Sequence, residues 1–131
     1  MLIKNDIKNR ADIESFLHLF YSRVVIDRTI GIIFTKIFSV NMSHHIPIIT
    51  DFWETVLLDH PVYKKNAMEV HFEINKKFPL QKKHFEAWLY LFNVTIDELF
   101  CGEKVLLAKK RAAGIADLMQ LKINKINLAN G

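Results

Sequence analysis

The sequence predicts an all-α protein built as one helical domain, and three observations predict it. Across 131 residues glycine (4) and proline (3) are scarce, which disfavours a turn-rich β-fold. Half of the residues are hydrophobic and Phe alone occurs 10 times, so many large side chains require a core. The apolar residues recur at three- and four-residue steps, the period of one helix face. The domain is expected over 1–131, with a core from about 12 to 126 and a frayed tail over 127–131.

The first helix is expected from about Asp12 to Asp27, where Ile13, Phe16, Leu17, Phe20 and Val24 form one apolar stripe. Thr29-Ile30-Gly31 breaks it, and the apolar run 32–38 follows as a short connector. A second helix is expected from Met42–Ser43 to Leu58, with Pro47 in its first turn, where a missing N–H is tolerated. Asp59-His60-Pro61 ends it. A short helix over 66–74 comes next, then a polar stretch closed by Pro79. The third long helix covers about Leu80 to Phe100, with Phe85, Trp88, Leu89, Phe92, Ile96 and Leu99 inward and Gly102 as its cap. The last helix, Glu103 to Ile126, turns Val105, Ala108, Ala112, Ile115, Met119 and Ile126 inward.

Charge and cysteine usage exclude several classes. The net charge is +4, but the lysines stand in scattered pairs and one triplet, Lys109-Lys110-Arg111, rather than along one basic face. Solvated helix faces account for them, and no nucleic-acid partner is expected. Part of the excess could meet acidic groups of a cofactor. The single cysteine, Cys101, permits neither an internal disulfide nor a thiolate metal site. A free thiol, an N-terminus that becomes charged at once and the absence of a long uncharged apolar run give a cytoplasmic expectation with no membrane partner.

Six histidines occur: His18, His44, His45, His60, His71 and His84. On the second helix His45, Ile49, Phe52, Trp53 and Val56 share a face, while His44, Asp51 and Thr55 lie on the other side. His45 is therefore the inward imidazole, and burying it without a partner is costly. On the short helix Ala67, Met68, His71 and Phe72 cluster, so His71 also looks inward; His84, one turn before Trp88, rivals it, and spacing leaves both open. Tyr21 and Trp88 bring a buried hydroxyl and an indole N–H that need partners. Inward histidines on separate helices, an inward Tyr and Trp, and the phenylalanine excess point to a large flat apolar guest with a polar centre. Haem fits: one neutral imidazole binds the iron and polar donors opposite it meet the ligand. The competing reading is a helical interaction module in which the same histidines are core residues.

The chain resembles the truncated haemoglobins, the short two-over-two globins, and within them the third group. The resemblance runs from about Asp12 to Ile123. It rests on Phe16-Leu17-His18-Leu19-Phe20-Tyr21-Ser22-Arg23-Val24, Ile30-Gly31-Ile32-Ile33-Phe34 and His45-Ile46-Pro47-Ile48-Ile49-Thr50-Asp51-Phe52-Trp53. Tyr63 through His71, Phe85-Glu86-Ala87-Trp88-Leu89-Tyr90-Leu91-Phe92 and Arg111-Ala112 continue it. It implies a truncated-globin-like two-over-two helical sandwich enclosing haem b (iron protoporphyrin IX). It implies His71 as the iron ligand, ahead of His84, and His45, Tyr21 and Trp88 as distal ligand-binding residues. Phe34, Phe52 and Trp53 are implied as haem-lining aromatics. Met42 departs from an aromatic and Lys65 from a glycine common in the family, and the second departure falls in the loop leading to His71. The implied activity is binding of O2, NO or CO. The alternative is an NO dioxygenase or peroxidase fed by an external reductase, since no flavin or nicotinamide motif is present.

Overall fold

A computed structural model describes residues 4–37, 41–63, 75 and 79–130. Four helices carry the fold: α1 (Arg10–Val24), α2 (Met42–Leu58), α3 (Lys82–Leu99) and α4 (Glu103–Asn130). A π-helical turn, Ile33–Ile37, lies in the connector after α1. Among the described residues there is no strand. The expected short helix over 66–74, with Ala67, Met68, His71 and Phe72, lies outside them.

α1 begins two residues earlier than the apolar stripe predicts because Asn9 caps it, accepting from the Asp12 N–H at 3.0 Å. It stops at Val24, short of Asp27. The Asp27 carboxylate accepts from the N–H groups of Thr29 and Ile30, and this local pairing turns the chain out of the helix. Gly31 then passes close beneath α1, where a Cβ would lie 2.7 Å from the Val25 carbonyl oxygen. Only glycine fits there.

α2 has the expected bounds, with Asn41 accepting from Ser43 N–H at its start and Asp59 in the left-handed region (φ 57°) at its end. Pro47, however, is the sixth residue and lies past the first turn, where its ring costs an intrahelical hydrogen bond. The buried stripe also differs from the expected one. Ile46, Thr50, Trp53 and Leu57 face the core together with Glu54, whereas His45, Ile49, Phe52 and Val56 are half-buried. The stripe is rotated by about one residue because Thr50 satisfies its hydroxyl on the Ile46 carbonyl at 2.7 Å and so can pack against α1. Trp53 alone belongs to both faces.

α3 starts at Lys82, later than Leu80, because Gln81 and His84 form a reciprocal capping box. Its buried residues are His84, Phe92, Thr95 and Ile96, with Trp88, Leu89 and Leu99 packed against the core from the side. Gly102 does not cap α3; Phe100 does, through its N–H to the Ile96 carbonyl. Gly102 instead opens α4. Its φ of 145° suits glycine, its carbonyl accepts from Leu106 N–H, and the Asp6 carboxylate packs against it while accepting from Lys104 and Val105 N–H.

α4 continues past Ile126 to Asn130, and Asn127 accepts from the Asn75 side chain at 2.9 Å. Val105, Ala108, Ala112, Ala116, Met119 and Ile123 form its buried stripe. Ile115 is half-buried and Ile126 exposed, so the three- and four-residue steps run through Ala116 and Ile123 rather than through the larger Ile115 and Ile126. The small alanines let α3 approach closely.

α1 is tied to its neighbours at both ends. Arg10 reaches Asp51 (2.7 Å) and Glu54 (3.1 Å) of α2, and Arg23 reaches Glu98 (2.6 Å) and the buried Thr95 hydroxyl (3.1 Å) of α3. Between these pins the rings of Phe16, Phe20 and Phe92 interlock edge to face, which fixes α1 against α3.

Candidate functional site

Tyr21 sits in the last turns of α1 and is only 6% exposed. Its phenol is brought there by the Phe16–Phe20–Val24 stripe, because a residue next to a buried position on a helix lies at the stripe's edge. Three elements converge on it. Trp88, from α3, brings its indole N–H to the phenol's side, where it acts to lower the pKa of the hydroxyl. His45, from the first turns of α2, meets the ring edge to face at 5.0 Å between centroids. Phe34, from the π-helical turn, lies 5.9 Å away and contacts His45 at 6.5 Å. Four of the residues singled out from the sequence thus come together: Tyr21, Phe34, His45 and Trp88.

The electrostatics of this group are set by burial. Burial pushes the Tyr21 phenol well above its ordinary range, outweighing the Trp88 N–H, which works in the other direction. Tyr21 is therefore a neutral hydroxyl at any physiological pH, able to donate as well as accept. The His45 Nε2 is buried as well. His44, the neighbour assigned to solvent, is exposed.

Phe52 and Trp53 lie about two turns further along α2 than His45. Trp53 is buried against Phe92, and Phe52 is half-buried between Trp53 (5.1 Å) and Tyr63 (5.3 Å). The flank formed by His45, Ile49, Phe52 and Val56 is thus apolar and half-buried along its length, a surface of the kind that a flat apolar guest would complete.

His84 is buried, but its Nδ1 accepts the Gln81 N–H at 2.8 Å in the capping box. Burial, and then the nearby Lys83 charge, hold its pKa below the usual imidazole value. That nitrogen is engaged in holding the start of α3. His71 lies outside the described residues. Among the described residues no group of three His, Cys, Asp or Glu side chains is arranged for a metal ion.

Sequence reasoning missed an open face of α4 that carries Leu107, Lys110, Arg111, Gly114, Ile115 and Leu118. A Cβ at Gly114 would meet nothing within 4 Å among the described residues. The available signal was the conflict between Ile115 and Ala116, both apolar, of which only one can face the core.

No family model matches the chain. A group 3 truncated haemoglobin of Campylobacter jejuni is 25% identical over 126 residues, covering 94% of this chain and 97% of that protein. The crystal structure of a group III truncated haemoglobin from the same organism superposes with a TM-score of 0.81 at 25% identity, over 92% of this chain and 95% of the other. The chain is similar to the group 3 truncated haemoglobins in sequence and shares their fold. The likeness is not confined to a motif, since it runs through all four helices. No described helix is long and apolar enough to cross a membrane.

Proposed function

We propose that the chain is a haem protein that binds a diatomic gas, O2 foremost and NO or CO as well, at an iron held by His71. The observation that carries this reading is the convergence of Tyr21, Trp88, His45 and Phe34 from four separate elements around one buried hydroxyl. Haem b fits the residues present. Phe34, Phe52 and Trp53 with the half-buried flank of α2 would supply apolar walls. His71 would provide the proximal nitrogen; the haem iron, when bound, supplies the coordination chemistry that holds the gas.

The distal residues then have distinct tasks. The Tyr21 hydroxyl, with the Trp88 indole N–H beside it, is the donor that can form a hydrogen bond to the guest. A diatomic guest that carries partial negative charge gains about 1–3 kcal/mol from that hydrogen bond, and a neutral one less. At 1.4 kcal/mol per tenfold, this corresponds to about 5- to 150-fold slower release of O2. His45, in contact with both Tyr21 and Phe34, stands where it can gate the approach to the hydroxyl. An imidazole ligates only when neutral, so acid should compete for His71 and release the group.

Titration of the purified apo-chain with hemin tests the proposal. A stoichiometric complex that survives gel filtration, and that shifts its visible spectrum on reduction and again with CO, is expected. A chain that stays colourless would refute it and leave the interaction module as the better reading. The enzymatic alternative, NO dioxygenation or peroxide reduction with an external electron donor, uses the same site.

A further inference from the structure

The aromatic rings around the distal cluster do not stop at it. From Trp88 a continuous line of contacts leads outward: Trp88 to Phe92 at 5.4 Å, Phe92 to Trp53 at 5.1 Å, Trp53 to Phe52 at 5.1 Å, and Phe52 to Tyr63 at 5.3 Å. Indole and phenol are among the side chains most readily oxidised by one electron, and phenylalanine is not. In this line every pair of oxidisable rings is separated by a single phenylalanine in contact with both. The other aromatic branch, Phe16 and Phe20, closes on itself in the core and reaches no surface.

The two ends differ in a way that gives the line a direction. Trp88 stands at the inner end beside the buried Tyr21, whose loss of an electron would require its phenolic proton to leave a closed site. Tyr63, at the outer end, is half-buried and can pass its proton to water. Its backbone N–H, like that of Val62, donates to the Thr55 hydroxyl of α2 at 3.0 Å, which holds the ring in place on Phe52. Tyr90 is 66% exposed and only two residues from Trp88, yet no ring contact joins it to the line among the described residues.

We propose that Trp88, Phe92, Trp53, Phe52 and Tyr63 form a one-electron relay between the Tyr21–His45–Trp88 cluster and the surface, used when a hydroperoxide is reduced at the haem. The proposal rests on the haem-protein reading above. Each hydroperoxide takes two electrons and two protons, its O–O bond breaks, and an alcohol and water leave. The electrons enter one at a time at Tyr63, whose phenol gives up an electron inward and a proton to solvent. A phenolic reductant then returns a hydrogen atom to the Tyr63 phenoxyl. Two phenols become two phenoxyl radicals for each hydroperoxide consumed, and the balance closes.

The test uses the full chain loaded with hemin, mixed with hydrogen peroxide in the absence of reductant and frozen for electron paramagnetic resonance. A tyrosyl radical is expected in the wild type and in Tyr90→Phe, lost in Tyr63→Phe and diminished in Trp53→Phe. Tyr63→Phe deletes only a half-exposed hydroxyl and does not threaten folding, so it decides the matter even if Trp53→Phe binds hemin poorly. No tyrosyl signal in the wild type, an unchanged signal in Tyr63→Phe, or its loss in Tyr90→Phe would overturn the relay while the hemin spectrum leaves the parent reading intact. A chain that binds no hemin would remove both.

Discussion

Replacing Arg10 by Leu removes the pin that holds α1 to α2, and its effect can be worked out contact by contact. The guanidinium reaches Glu14 at 3.1 Å, Asp51 at 2.7 Å and Glu54 at 3.1 Å. The first two partners are 45% and 37% exposed, so each such pair contributes only about 0.2–1 kcal/mol. Glu54 is different. Its side chain is 11% exposed, and without Arg10 its carboxylate keeps only the His60 Nδ1 at 3.3 Å. A charge-assisted hydrogen bond of this kind is worth about 1.5–3 kcal/mol, and the 38% exposure of Arg10 places it at the lower end. The sum is about 2 kcal/mol. With m near 2 kcal/mol/M in urea, the unfolding midpoint should fall by about 1 M. In a Glu54→Gln background the same substitution should cost markedly less, because no buried charge is then left behind. A loss under about 0.5 kcal/mol, or an equal loss in both backgrounds, would refute the reasoning.

Two further predictions follow from titratable and hydrogen-bonding groups. Burial lowers the His84 pKa in the folded chain relative to the unfolded one. Its contribution is therefore fully present above the unfolded value near 6.5 and is lost as pH falls through the folded value, so urea midpoints should drop between pH 7 and 5 and His84→Gln should flatten that dependence. Tyr21 and Trp88 should couple: if Trp88 donates to the Tyr21 oxygen, Tyr21→Phe frees the indole N–H for the guest. The O2 release rates of the two single Phe variants and the double variant, measured by stopped flow, should depart from additivity by about 1 kcal/mol. Strict additivity would mean that the two donors act independently.

The elements were largely legible in the sequence because their punctuation is local. Asn41 and Asp59 mark α2 to the residue, since capping side chains and a left-handed stop act within one turn. The end of α1 was not legible, because the turn made by the Asp27 carboxylate competes with a helical pattern that continues past it. The faces were readable only to within a residue. On α2 a threonine that hides its hydroxyl on Ile46 packs as an apolar residue, and that moved the buried stripe. On α4 the choice between Ile115 and Ala116 was settled by how closely α3 approaches, which no helical period contains. The distal cluster is a matter of tertiary contact. Tyr21, His45 and Trp88 could each be nominated for an inward face, but their meeting depends on the pins at Arg10 and Arg23, which join residues far apart in sequence. The resemblance to the truncated haemoglobins supplied that meeting in advance; the residues alone did not.

Resonance Raman spectroscopy of the reduced, hemin-loaded chain bears most directly on whether residue 71 holds the iron. A low-frequency iron–imidazole stretching band is predicted in the wild type, absent from His71→Ala and restored there by added imidazole. A band that persists unchanged in His71→Ala, and disappears in His84→Gln instead, would contradict the account.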